Sequence, residues 1–288
     1  MILFWGVSMK KSVWMKAGIG IIILVGVVFA GVFFFISSCA NSLKVNVMNF
    51  DQELNLKKPA EVKTKPIILF LGNSMTYVND LPTVFERLSL SGGFVPEIYE
   101  LTEGSYRLAY FADETDEIGA EALDAIENYT WDYVVMQEQS GISAFGQEVM
   151  FPAARALDNK VRAGGGQSVF LMTWAYKDGV SRKLLGSEVG NTREEMQTLM
   201  AENYLNISKE RNALLAPAGI AFMRCANTNP DIELWDADGT HPSIAGTYLA
   251  ACTLYKVLYE QSPEGLSYPE ELDGFTALKL QKIAAGMN

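Results

Sequence analysis

The chain holds a single histidine, His241, in the stretch Asp236-Ala237-Asp238-Gly239-Thr240-His241-Pro242-Ser243. If a serine and a histidine do acyl chemistry together in this protein, His241 is the one candidate base. Asp238 stands three residues before it in a turn-forming segment. That spacing lets its carboxylate fold back on the imidazole, fix the tautomer and stabilise the imidazolium. A lone histidine is more often structural than catalytic, but this one sits in a polar loop ahead of a helix and not on an apolar face, which favours the chemical role. Ser74, in Leu71-Gly72-Asn73-Ser74-Met75-Thr76, directly follows an apolar run. There its hydroxyl can face a cleft as a nucleophile, or it can simply cap a helix or turn. Position alone leaves both open.

The elements that must carry these residues emerge from periodicity. Residues 66–72, PIILFLG, are a continuous apolar run ended by glycine, which is how a strand buried on both faces reads. Helical spacing comes next at Leu81, Val84, Phe85 and Leu88, stopped by a glycine pair. The pattern then predicts strands at 95–101, 133–136, 168–175 and 214–222. It predicts helices over 114–129, 149–163, 192–213 and 243–259. Alternation at this spacing implies an α/β domain with a mostly parallel five-stranded sheet covered on both faces. Each polar cluster falls just after a predicted strand: Ser74, Gly104, Gln137 and Gln139, Trp174. Ligands of open α/β sheets bind outside the carboxyl ends of the strands, so these residues should converge on one edge.

Gly72-Asn73-Ser74-Met75-Thr76 resembles the first motif block of the SGNH (GDSL-like) hydrolases, with Asn where the GDSL form has Asp. Asp238-Gly-Thr-His241-Pro-Ser resembles their last block, and the resemblance runs from about Pro66 to Tyr259. It implies a flavodoxin-like three-layer α/β/α sandwich and a serine esterase with Ser74 as nucleophile, His241 as base and Asp238 orienting it. It also implies an oxyanion hole. The glycine of the second block matches Gly104, and the asparagine of the third falls at Gln139 in Gln137-Glu138-Gln139-Ser140. Glutamine offers the same amide on a longer stem, and Gln137 competes for the role. The QEQS string and the later Met172-Thr-Trp-Ala175 resemble one branch of that family. No metal or organic cofactor is implied. Trp174 and Tyr176 can wall the substrate or merely pack, and Glu138 reads as a loop carboxylate.

Ahead of the domain, residues 17–36 form an uncharged apolar stretch of twenty residues. As a helix it would rise about 30 Å, enough to cross a bilayer core. Lys10, Lys11 and Lys16 precede it, which places the remainder of the chain outside the cytoplasm. The sequence Ile36-Ser37-Ser38-Cys39 resembles a bacterial lipobox with Cys39 as the lipidated residue. An uncleaved anchor and a lipoprotein signal both fit residues 1–39. Residues 40–65 read as a polar stalk and 66–288 as the hydrolase domain. The net charge is −11, and residues 66–288 carry 15 Lys/Arg against 31 Asp/Glu. That sign excludes a nucleic-acid partner, whose phosphates need a basic surface. A nucleotide-binding protein would need a glycine-rich loop after the first strand, which GNSMTYVND is not.

Three functional classes remain: an esterase removing O-acyl (acetyl) groups from a carbohydrate at the cell surface, a lipase-like acyl hydrolase, and a catalytically silent glycan-binding module of the same fold. Cys225 and Cys252 could pair, although Cys252 lies in an apolar run where a buried thiol is the simpler reading.

Overall fold

The computed structural model describes residues 45–184 and 187–287. The apolar segment 17–36 and Cys39 lie outside these residues. No helix among the described residues is long and apolar enough to cross a membrane.

Four apolar runs form β1 (Ile67–Gly72), β2 (Glu97–Thr102), β3 (Tyr133–Met136) and β4 (Gln167–Leu171). A separate two-stranded ribbon comes after them, β5 (Val180–Leu184) with β6 (Ser187–Asn191). The last strand, β7 (Leu214–Ala216), joins the main sheet. Its order is β2-β1-β3-β4-β7, with every neighbouring pair parallel. Strand order therefore reverses beside β1, the switch point at which doubly wound sheets hold their ligands. The interior strands bear out the continuous apolar reading: Ile68 to Leu71 and all of β3 are buried. The edge strand β2 is instead partly open, leaving Glu97, Tyr99 and Glu100 exposed.

The helices are α1 (Ser74–Tyr77) and α2 (Leu81–Ser91) after β1, then α3 (Leu108–Phe111) and α4 (Glu117–Asn128) after β2. Next come α5 (Ser140–Phe145) and α6 (Gln147–Ala163) after β3, and α7 (Arg193–Arg211) before β7. The chain closes with α8 (Ala218–Thr228), α9 (Ile244–Tyr259) and α10 (Gly274–Ala285). Side-chain caps begin most of the longer ones: Asp80 on α2, Asp116 on α4, a Thr192/Glu195 capping box on α7 and Ser243 on α9. Contacts gather them into two groups, α2 with α8, α9 and α10, and α3 with α4, α5, α6 and α7, with α7 also packing on α8. With the sheet these form the three layers.

The expected fifth strand, 214–222, is corrected by the structure. Only Leu214–Ala216 is strand, and after Pro217 the same apolar run becomes the helix α8, with Ala218 to Met223 all buried. A segment enclosed on every side carries no polar period, so strand and helix look alike in sequence. Cys225 and Cys252 are both buried and free, so the pairing left open by the sequence is not made.

Residues 45–65, within the segment read as a stalk, hold no helix or strand, yet the compact unit begins at Val45. The Phe50 ring is buried, and Arg224 donates to the carbonyls of Phe50 (2.6 Å) and Gln52 (2.9 Å). Lys57 donates to the Asn212 carbonyl at 2.6 Å and the Ala60 N–H to Gln167 Oε1 at 3.2 Å. Farther on, the Tyr133 hydroxyl donates to the Glu61 carbonyl, and Lys63 pairs with Asp132 at 2.6 Å. Asn212, Gln167, Asp132 and Tyr133 all lie at or just before the start of a strand. This part of the segment is thus a strap under the amino edge of the sheet.

Candidate active site

β1 delivers Ser74 through a loop that its own neighbours hold tightly. A Cβ on Gly72 would stand 2.3 Å from Thr76 Oγ1 and 2.9 Å from Gln137 Oε1, so only glycine fits there. Asn73 caps α1 by accepting the Met75 N–H (3.0 Å), and its Nδ2 donates to the Tyr106 carbonyl (2.8 Å). Gln137 Oε1 accepts from both the Asn73 N–H (2.8 Å) and the Thr76 hydroxyl (3.0 Å), while Gln137 Nε2 donates to the Glu138 carbonyl (2.7 Å). Gln137 is buried, its oxygen is taken up by this loop, and its Nε2 makes one bond, to the Glu138 carbonyl. The sequence offered its amide as a possible oxyanion donor; in the structure its oxygen clamps the turn that carries Ser74. Ser74 itself is half-buried at the head of α1, and its N–H has no partner among the described residues.

The base loop is built as the spacing of Asp238 and His241 predicts. Asp238 Oδ2 lies 2.5 Å from His241 Nδ1, and its Oδ1 accepts the N–H groups of Thr240 (2.8 Å) and His241 (2.9 Å). The hydrogen bond with His241, joined by those two N–H groups, lowers the Asp238 carboxyl to about 2. It is therefore an anion throughout the neutral range. Gly239, at φ +68°, makes the reversal between them. A short antiparallel bridge, Trp235 to Pro242, closes the loop's base.

Asn79 brings the two loops together. Its Nδ2 donates to the Pro242 carbonyl at 2.8 Å and approaches Thr247 Oγ1 at 3.4 Å. Ser74 Oγ makes no hydrogen bond to the His241 ring in this structure. Such contacts are commonly long without substrate and tighten when it binds.

Of the other expected residues, Gly104 follows β2 at the same edge, but its N–H donates to the Glu103 carboxylate at 2.8 Å. The Gln139 side chain caps α5, with Oε1 accepting the Ile142 N–H (2.8 Å) and Nε2 directed at the Tyr176 hydroxyl (3.4 Å). One Gln139 amide hydrogen is left without a partner among the described residues. Tyr176 is half-buried, and burial raises its phenol. Trp174 is a correction: it has no exposed surface, stacks on Phe222 at 4.2 Å, and donates to the Thr240 carbonyl at 3.1 Å. It braces the base loop and does not wall a cleft. The Lys177 N–H to the Gly239 carbonyl (2.8 Å) and Trp235 Nε1 to the Ala175 carbonyl (2.9 Å) complete that brace.

Sequence reasoning gave Asn79 and Thr76 no function and left Asn73 as a motif letter. Each acts through hydrogen bonds to residues far along the chain, which spacing does not report. Glu138 has no exposed surface, and burial pushes its carboxyl up to about 7, opposed by N–H groups of Gln139 and Leu108 and by Arg107.

No family model matches the chain, and no curated protein matches it. Among solved structures, it is similar to a protein from Slackia heliotrinireducens assigned to the SGNH hydrolases. The two are 33% identical, with a TM-score of 0.58, over 67% of this chain and 99% of that one. It also shares its fold with a DUF4886 family protein from Bacteroides uniformis, at 18% identity and a TM-score of 0.60, over 77% and 93% of the two chains. With nearly the whole of the first relative matched at that identity, and the motif serine and the Asp-His pair in place at the carboxyl edge of the sheet, the chain belongs to the SGNH/GDSL-like hydrolase superfamily.

Proposed function

We propose that this hydrolase is a serine esterase that removes O-acyl groups, acetyl in particular, from a carbohydrate at the cell surface. The observation that carries the reading is the Asp238–His241 pair. Asp238 takes up Nδ1 and so leaves Nε2 to accept a proton, while Asn79 ties the loop after Ser74 to the residue after His241. Ser74 Oγ attacks the ester carbonyl carbon as His241 Nε2 takes its proton. The resulting oxyanion is held by the N–H groups of Ser74 and Gly104 and by the free amide hydrogen of Gln139. Each such donor is typically worth about 3–4 kcal/mol in the transition state. Collapse breaks the bond to the alcohol, which leaves with the proton from Nε2. Water then attacks the acyl-serine, gives its proton to Nε2, and the acid departs as Ser74 regains its hydrogen.

A cavity of about 700 Å³ lies beside Asn79. Polar residues (Asp80, Arg87, Glu270) and apolar ones (Val84, Leu88, Ile244) line it alike, and neither Ser74 nor His241 is among them. Residues 17–36 and Cys39 would tether the domain outside the cytoplasm. One observation favours a second reading, a silent glycan-binding module: the Glu103 carboxylate sits on the N–H that the oxyanion needs.

Hydrolysis of p-nitrophenyl acetate and butyrate by the full-length protein, beside Ser74→Ala and His241→Ala, tests the proposal. Turnover lost at least a thousandfold in both variants is expected, with acetate preferred over butyrate. A folded wild type that neither turns over these esters nor labels at Ser74 with a fluorophosphonate would leave the silent module standing.

A further inference from the structure

Between the two glutamines of the QEQS string stands a carboxylate with no exposed surface, Glu138. None of the ion pairs among the described residues includes it, and a buried, unpaired carboxylate is costly. All of its polar atoms are nevertheless placed. Its N–H donates to the Tyr204 hydroxyl (3.2 Å), and its carbonyl accepts from Gln137 Nε2 (2.7 Å). Its carboxylate accepts the Gln139 N–H at 2.7 Å and the Leu108 N–H at 3.3 and 3.4 Å. Two groups face it, the Arg107 guanidinium at the head of α3 and the Tyr204 phenol on α7.

The two N–H donors are informative because of where they lie. Leu108 ends the loop that carries Gly104, and Gln139 is itself the other expected donor. A glutamine would fill the same space without the burial penalty, but it offers one acceptor oxygen and turns an NH₂ toward the N–H groups. The carboxylate brings two acceptor oxygens to the two segments, Oε1 to the Gln139 N–H and both oxygens to the Leu108 N–H.

We propose that Glu138 is a positioning residue for acyl transfer, its carboxylate binding the Gly104–Arg107 loop to Gln139 so that the oxyanion donors hold one geometry. This rests on the esterase reading. Glu138→Gln and Glu138→Asp in the full-length protein test it, with p-nitrophenyl acetate kinetics and thermal melting at pH 8. Glu138→Gln should melt no lower than wild type, yet lose at least tenfold in kcat with KM within twofold. Glu138→Asp, which keeps the charge on a shorter stem, should fall between the two. An unchanged kcat in Glu138→Gln overturns the proposal, as does a rise in KM alone. If Glu138→Gln does not fold, a wild-type kcat in Glu138→Asp overturns it equally. A wild type without turnover or Ser74 labelling removes the esterase reading and the proposal with it, whereas an active wild type matched by Glu138→Gln removes only the proposal.

Discussion

Glu103 places a carboxylate oxygen 2.8 Å from the Gly104 nitrogen, on an N–H that a tetrahedral oxyanion would need. The two anions compete for one donor, so the exposed Glu103 side chain must swing aside before that donor can act. Glu103→Ala should therefore raise kcat/KM for p-nitrophenyl acetate by roughly tenfold, about 1.4 kcal/mol of barrier. An unchanged or lower value would show that Gly104 is not an oxyanion donor. At this scale the sequence was most informative about Asp238 and His241, whose three-residue spacing foretold the hydrogen bond between them, whereas the position of Ser74 alone left a cap and a nucleophile both open. It was least informative about amides. Gln137 and Gln139 differ by two positions and share one chemistry. What separates them is that one points at Asn73 and Thr76 and the other at Ile142 and Tyr176.

The base loop depends on an element, the segment that leaves β4, more than on its own turn. Trp174 Nε1 and the Lys177 N–H grip two consecutive carbonyls of that loop, at Thr240 and Gly239. Trp174→Phe would keep much of the stack on Phe222 but lose the indole donor. A net loss of about 1–3 kcal/mol in stability is expected for the unsatisfied Thr240 carbonyl and the poorer fill. A fall in kcat exceeding the fall in KM should accompany it, read from urea titration and steady-state kinetics together. The apolar run 168–175 was enough to predict a strand, of which the structure keeps Gln167–Leu171 as β4. It was not enough to show that the tryptophan serves the histidine, since the partner lies 66 residues on. The same limit governs α8, where complete burial erased the period that distinguishes helix from strand.

Across the whole molecule, two buried carboxylates set opposite limits on stability. Glu138 has its carboxyl raised from 4.5 to about 7, chiefly by burial. Its contribution is greatest below pH 4.5 and is lost as the pH rises through 7, on the order of 3 kcal/mol. Asp158 also meets a burial penalty, but hydrogen bonds from Arg162 and Arg211, both at 2.8 Å, hold its carboxyl below the ordinary 3.8. Its contribution is present above that value and lost as the pH falls beneath it. The melting temperature should thus peak between about pH 4 and 5 and decline on both sides. Glu138→Gln should flatten the alkaline limb alone, and a limb unmoved by that substitution would show that the carboxyl is already ionised in the folded chain.

The strap of residues 45–65 gives the domain a mechanical character. A pull applied at Val45 does not reach the ladder of β1 directly. It must first break the Met48 N–H from Thr198 Oγ1, then draw the Phe50 ring from its socket and part Arg224 from two carbonyls. It must then unfasten Lys57, Ala60, Glu61 and Lys63 one after another. These attachments follow one another along the chain, and the edge that carries Ser74 lies at the opposite ends of the strands. The strap can therefore absorb extension at its own end of the molecule while the geometry around Ser74 stays undisturbed.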